Sequence, residues 1–518
     1  MPASSTELLV IGGGATGLGV AWDAALRGIK VLLVEQSDLG QGTSGRYHGL
    51  LHSGGRYVIS DPPSARDCAR ENEILRRLAP STIEDTGGLF VAAPTDPPDF
   101  PDRWLAACRE TGVAAEEATL TQALQEEPLL NPALTRAFRV RDASLDSFDL
   151  MHLLAGAIRS AGGQVWLRHR VSRLMTQRGA VVGAEITDLT SQERKRIGAQ
   201  VIVNAAGPWA KGIASMAAVN LPIALGRGAM VAMASRLVNT VVNRCKPPSD
   251  GDILVPVGTV LVIGTTDETV QSPDDLTIAP WEIDLLLAEA EVLVPGIAAH
   301  RALRAWSGTR PLYRPSPASG AQTRHLPRAH TILDHAVTDG VPGLISVIGG
   351  KLTTYRLMAE QAMRVVAPQL GASAPCTTAS TPLEPAGRTY HRLPHRLEQI
   401  ELTASATQPS IVCECELVTR SALESALQGA EVTDLDDLRR DLRLGMGPCQ
   451  AAFCGYRAAG LAMRILPSAP ADGGLSDFQQ ERWRGLRPLA WGHTLRQIEF
   501  SRRIFTELLG LRGEREAK

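Results

Sequence analysis

Apolar residues in this chain come in short runs separated by amphipathic stretches. Residues 8–11, 30–34, 201–204, 259–264 and 344–348 are runs of strand length. After the first run, Ala15, Leu18, Ala21, Trp22, Ala25 and Leu26 fall at helical spacing. This alternation continues to residue 366 and predicts an α/β domain. From 367 to 409 the composition shifts to small residues and proline, among them Ala372, Ser373, Pro375, Thr377, Thr378, Pro382 and Pro385. That pattern reads as a linker without a core of its own. Residues 410–465 form a compact segment, and 466–518 read as helical. In the last segment Leu495, Ile498, Phe505, Leu508 and Leu509 form one stripe, with Arg496, Arg502 and Arg503 beside it. The stripe reads equally as a helix packed on its own domain and as a basic surface for a partner or membrane.

Composition narrows the class. The 518 residues are 44% apolar and 21% charged, enough to bury a core in more than one domain. The formal charge of −2, from 53 basic and 55 acidic residues, argues against nucleic acid as a partner. No apolar run reaches the roughly 18 residues of a transmembrane helix. Residues 1–7 carry no basic n-region, so no signal peptide is expected. Eight cysteines are too sparse for a disulfide scaffold, and a reducing, cytoplasmic setting is expected.

Two motifs carry chemistry. The first is a strand feeding Gly12-Gly13-Gly14-Ala15-Thr16-Gly17, then a helix, a second strand and Glu35. Gly12 allows the tight turn, Gly14 lets the backbone approach a pyrophosphate, and Gly17 lets the helix pack on the strand. Glu35 can accept from ribose hydroxyls. This predicts a dinucleotide site but does not separate FAD from NAD. The second motif is Cys413-Glu414-Cys415 with Cys449 and Cys454, spaced C-x-C, 33 residues, C-x4-C. Four thiolates from two loops suit zinc or an iron–sulfur cluster, and spacing alone leaves both open. One dinucleotide motif beside a cysteine cluster favours a flavin whose electrons leave through the cluster. Cys68, Cys108, Cys245 and Cys376 are isolated and read as ordinary thiols.

Longer motifs lie around residues 40–46, 48–57, 203–209, 252–256, 263–267, 307–312 and 349–356. Through them the chain resembles the FAD-dependent glycerol-3-phosphate dehydrogenase family nearly end to end. The cysteine segment is absent from the aerobic single-chain members and narrows the resemblance to the anaerobic branch. The run Arg443-Leu444-Gly445-Met446-Gly447-Pro448-Cys449-Gln450 resembles the bacterioferritin-associated-ferredoxin-like 2Fe–2S domain. That family more often ends in C-x2-C than in the C-x4-C found here.

The resemblance implies an FAD-binding Rossmann-like domain with an inserted substrate domain of mixed sheet. A small α-rich iron–sulfur domain and C-terminal helices follow. It implies oxidation of sn-glycerol 3-phosphate to dihydroxyacetone phosphate, with hydride transfer from C2 to FAD. Electrons then pass through a 2Fe–2S cluster on Cys413, Cys415, Cys449 and Cys454. Two partner subunits, one a second flavoprotein and the other an iron–sulfur membrane anchor, carry them to a quinone. This is the activity EC 1.1.5.3, held peripherally at the cytoplasmic face of the inner membrane through those partners. Expected FAD contacts are Gly12, Gly14, Gly17, Glu35, Thr43, Ser44, Gly49, Leu50, Gly207, Gly350, Lys351, Leu352 and Thr353.

A phosphomonoester needs cations, and arginine binds it bidentately. Arg310 is the first choice for that phosphate, with a structural salt bridge as its alternative. Arg56 either joins it or ties down the flavin loop. His52 is a candidate base or substrate-orienting group. Lys351 either stabilises charge on the reduced flavin or binds substrate. Trp209 reads equally as a core aromatic and a flavin neighbour. The rival functions are an FAD-dependent dehydrogenase or oxidase of another 2-hydroxy or amino compound, and a non-catalytic electron-transfer flavoprotein.

Overall fold

The computed structural model describes residues 4–315, 323, 326, 328–383, 410–429, 432–466, 474–508 and 510. The first apolar runs become the centre of an eight-stranded sheet. Ser4–Ile11 pairs in parallel with Val31–Val34 on one side and Arg194–Asn204 on the other. Gln164–Trp166 and Leu344–Gly349 extend the parallel part. The strand alternation decides what covers each face. Leu8 and Val10 join the core under the helices Ala15–Leu26, Ser147–Ser160 and Tyr355–Gln369. Leu9 and Ile11 join a second core with Ile186, Ala214 and Leu344. Both faces are covered, which is why Val31–Val34 is apolar throughout and wholly buried.

A nine-stranded sheet is built mainly from residues 88–313. Its longest pairing is antiparallel, Ile223–Met233 against Ala302–Tyr313, while Val241–Arg244 runs parallel to Gly88–Ala92. The helix Pro280–Leu293 buries Ile283, Leu286 and Ala290 against it. The α/β class and the mixed inserted sheet therefore match the expectation.

The cysteine segment is a two-strand hairpin, Ile411–Cys413 with Val418–Thr419, under the helices Arg420–Gln428, Leu435–Leu442 and Cys454–Ile465. Leu423, Leu438, Leu444, Ala458 and Phe478 form its core. Phe478 comes from the helix Leu475–Leu486, whose Trp483 and Leu486 pack on the core of the nine-stranded sheet. Ion pairs fasten the segment to the first domain. Arg440 Nε meets Asp38 at 2.5 Å, and Arg168 pairs with Asp437. Arg443 lies between Asp146, at 3.0 Å, and Glu416, at 2.9 Å.

Two expectations need correction. The stretch read as a linker is not one from its start. The preceding helix runs to Gln369, and Ala372, Ala379 and Leu383 then pack on the first core. Leu383 N donates to Leu78 O at 2.9 Å, and the buried Thr378 accepts from Arg356 at 3.1 Å. Small residues there lie flat on helices, a close fit that resembles linker composition. Residues 384–409 lie outside the described residues. The C-terminal stripe also divides. Ile498 is buried in the core of the nine-stranded sheet, whereas Leu495 and Leu508 are exposed. Leu509 lies outside the described residues. Arg502 and Arg503 pair with Glu499 on their own helix. Among the described residues no helix is long and apolar enough to cross a membrane.

Candidate active site

A cavity of about 1080 Å³ opens where the strands Ser4–Ile11 and Leu344–Gly349 end, and the nine-stranded sheet closes its far side. At one end the backbone does the work. Gly12 has φ +115°, and a Cβ there would stand 2.5 Å from Ala205 O. A Cβ on Gly17 would stand 2.0 Å from Gly12 O, so Gly17 serves helix packing and lies behind the lining. Gly14 lines the cavity, and among the described residues Ser44 Oγ, at 3.2 Å, is the sole atom its Cβ would meet. Ser44 Oγ accepts from Ala15 N at 3.1 Å and so caps the helix that points into the cavity. Glu35 accepts from Gly13 N at 2.7 Å and from Ser37 N at 2.9 Å, while burial pushes its carboxyl pKa up. Each oxygen keeps a second lone pair for a ribose hydroxyl. Open Gly14, a capped helix N-terminus and Glu35 fit a dinucleotide.

Thr43, Leu50, Gly207, Gly350, Leu352 and Thr353 also line the cavity. Gly49 does not; its φ of +91° turns the chain against Val257. Thr353 Oγ1 accepts from His52 N at 3.1 Å, joining two segments 301 residues apart. Trp209 lines the cavity rather than the core, with Nε1 donating to Asp274 at 3.0 Å.

The other end is made of side chains. Arg310 donates to Asp267 at 2.9 Å, to Thr265 Oγ1 at 2.7 Å and to Thr266 O at 3.1 Å. Arg328 reaches the other oxygen of Asp267 at 3.2 Å. Two guanidiniums thus share one carboxylate. Burial, and then repulsion from Arg328, bring Arg310 down to about 10. Lys351 Nζ sits 4.4 Å from the Tyr57 ring centroid and donates to Arg328 O at 3.3 Å. Burial lowers its pKa too. Arg56 is paired with the buried Asp252 at 2.7 Å. Arg310 and Arg56 are therefore anchored side chains rather than free cations.

His52 lies with its ring centroid 5.4 Å from Tyr57 and 5.8 Å from His48. Burial, then repulsion from His48, Arg56 and Lys351, holds its pKa well below the ordinary value. His48 Nδ1 accepts from Leu50 N at 3.1 Å, which places the neutral ring's proton on Nε2. Burial, then repulsion from Arg56 and Arg310, lowers His48 to about 3. Both imidazoles are neutral at pH 7; His48, its Nδ1 already accepting and its proton on Nε2, can only donate to a bound oxygen, which leaves His52 as the imidazole to accept a proton from a bound hydroxyl. His48, Tyr57, Asp267 and Arg328 were not singled out from the sequence. His48 and Tyr57 carried a signal, being in the same glycine-flanked run as His52. Arg328 and Asp267 acquire their meaning only by meeting in space.

The four clustered cysteines come together. Cys413 Sγ lies 3.8 Å from Cys415 Sγ and also neighbours Cys454, while Cys449 neighbours Cys415 and Cys454. Hydrogen bonds from Cys415 and Cys454 hold Cys413 and Cys449 toward the thiolate form. Among the described residues no group of three or more His, Cys, Asp or Glu side chains is set to hold a metal ion as it stands. As a donor set, four adjacent thiols from two loops fit a thiolate-ligated cluster. Cys68, Cys108 and Cys245 are buried, Cys108 and Cys245 in one shared apolar core rather than isolated, and burial pushes Cys68 and Cys108 up to about 12.

Comparison with known proteins agrees with this geometry. The FAD dependent oxidoreductase family profile matches residues 7–356. The chain is 40% identical over 536 aligned residues to the A-type subunit of the anaerobic glycerol-3-phosphate dehydrogenase of Escherichia coli, covering 99% of this chain and 98% of the relative. It is 41% identical to the corresponding A1-type subunit of Haloferax volcanii, covering 95% and 89%. The crystal structure of the Bacillus halodurans glycerol-3-phosphate dehydrogenase, complexed with FAD, superposes with a TM-score of 0.62. That match covers 99% of this chain and 95% of the other at 23% identity, a likeness of fold. The chain is thus an FAD-dependent oxidoreductase and belongs to the family of A-type subunits of anaerobic glycerol-3-phosphate dehydrogenases.

Proposed function

We propose that this chain oxidises sn-glycerol 3-phosphate to dihydroxyacetone phosphate and hands the electrons to a quinone through partner subunits, the activity EC 1.1.5.3. The observation that carries this reading is the charge count at the side-chain end of the cavity. Arg310 and Arg328 share Asp267, and among the described residues Lys351 has no ion-pair partner. Among the described residues these three cations thus have one carboxylate at ion-pair distance, with Asp61 and Asp250 farther along the lining, a cluster suited to a phosphomonoester dianion. The neutral imidazoles of His48 and His52 lie beside them, His52 taking the C2 hydroxyl proton and His48 donating from Nε2. Asp267 keeps both guanidiniums in place, so the phosphate meets a preformed fork. FAD, when bound by the Gly12–Gly14 turn, Ser44, Glu35 and the 350–353 segment, supplies the hydride acceptor. Arg56, tied to Asp252, fixes the loop that carries His52.

The thiols of Cys413, Cys415, Cys449 and Cys454 are assigned a 2Fe–2S cluster. The chain is assigned a peripheral place at the cytoplasmic face of the inner membrane. There it is held by two partners, a second flavoprotein and an iron–sulfur membrane anchor. The test is anaerobic addition of glycerol 3-phosphate to purified protein, watching the flavin band at about 450 nm. Bleaching by this substrate and not by amino acids is the expected result. Bleaching by an amino acid instead overturns the substrate assignment, and no bleaching by either makes the chain a non-catalytic flavoprotein. Cys415→Ser should remove the iron chromophore and leave flavin bleaching intact.

A further inference from the structure

Arg482 is a buried cation held by neutral acceptors. Its side chain is 3% exposed. Nη2 donates to Gly445 O at 2.5 Å and to Gln450 Oε1 at 2.6 Å, both neutral acceptors on the loop that carries Cys449. Among the described residues Nε and Nη1 have no partner, and neither does the buried Nε2 of Gln479. Arg482, Gln479, Arg301 and Cys449 line one small cavity of about 40 Å³. Arg301 donates from the other side to Pro448 O, at 3.4 Å. Arg304 and Arg439 repel it, and the groups that favour its charge are Asp436 and one of the clustered cysteines, Cys454. A buried guanidinium whose hydrogen-bond partners are all neutral is costly to keep. The fold keeps it there nonetheless, directly behind a cysteine assigned to a cluster.

We infer that Arg482 is the buried counter-cation of the four-thiolate centre, set behind Cys449 to raise the centre's reduction potential. This inference rests on the 2Fe–2S reading above. A thiolate-ligated cluster is an anion, and reduction adds one more negative charge without making or breaking a bond. A fixed cation beside it favours the reduced form, and hydrogen bonding and charge near the sulfurs are recognised levers on such potentials. Electron flow balances as one electron in from the flavin side and one out to a one-electron acceptor in a partner protein. Arg301, lining the same small cavity, adds a second, more exposed charge near Cys449.

Potentiometric titration of the cluster's paramagnetic signal tests this, with iron and zinc measured on the same samples. Arg482→Gln should lower the midpoint by a tenfold change in equilibrium constant or more, about 59 mV for a one-electron couple. Arg482→Lys, which keeps the charge, should recover most of that shift. Arg301→Gln should move the midpoint the same way by less. Iron-loaded Arg482→Gln with an unchanged midpoint overturns the inference alone and leaves Arg482 as packing. Equal shifts in the Gln and Lys variants also overturn it, since charge would not be the cause. Should Arg482→Gln fail to hold iron, an unmoved midpoint in Arg301→Gln decides against it. Wild-type protein purified without air that contains zinc and no iron overturns the cluster reading and this inference together.

Discussion

At the nucleotide end of the cavity the working groups are backbone amides, bare Cα atoms and two short side chains, all from residues 12–44. At the substrate end they are long side chains from His48, Arg56, Asp267, Arg310, Arg328 and Lys351, brought together across 303 residues of sequence. The first end is a local structure that any stretch with that pattern would form. The second exists only because two sheets meet. A local device fails outright when one atom is added, whereas a shared ion network fails by degrees.

That contrast can be tested from the large effect to the small. Gly14→Val should fold and yet lose FAD altogether, because the new side chain meets no described protein atom closer than Ser44 Oγ and fills the cavity instead. Stoichiometric flavin in the purified variant would show the turn is not the cradle. Arg310→Ala should leave flavin content unchanged and raise KM for glycerol 3-phosphate about 10- to 150-fold, the loss of a charge-assisted contact of about 1.5–3 kcal/mol. An unmoved KM would place the phosphate away from Asp267 and its two arginines. Ser44→Ala removes the side chain that caps Ala15 N and should cost about 1 kcal/mol of stability, read as a fall in melting temperature.

The last effect is on stability against pH. His48 titrates near 6.5 when unfolded and at about 3 when folded. Below pH 6.5 the unfolded chain therefore takes up a proton that the folded one refuses, and stability falls as pH drops from 6.5 toward 3. His48→Gln, whose amide can still accept from Leu50 N, should flatten that part of the melting-temperature profile. An identical acid limb in both proteins would mean His48 is not held neutral by burial.

The same contrast explains what could be read from the sequence. The strand at 8–11, the glycine turn and Glu35 were legible because each is dictated within a few residues. Cys413, Cys415, Cys449 and Cys454 were legible as a set because thiols are rare enough to stand out. Arg310 was legible as a cation of the site but not as the partner of Asp267, since nothing near 310 announces a carboxylate at 267. Arg328 had no local signal at all. The 372–383 strap looked like a linker because Ala, Thr and Pro serve both for loose chain and for lying close against a helix. Ile498 and Leu495 shared a stripe by spacing, but only the surface beneath could say that one is covered and the other bare.

Arg443 bears on the order of events as the protein matures. Glu416 and Asp146 grip it from two sides, and Leu423, Leu438 and Phe478 pack a real core around the cysteine loops. Small metal-dependent domains commonly stay unfolded until the metal arrives. Here apolar burial and ion pairs hold the cysteine loops together without a metal. Under the cluster reading proposed above, iron loading would then be a late step on a chain already folded, and protein starved of iron would stay folded with its four thiols free.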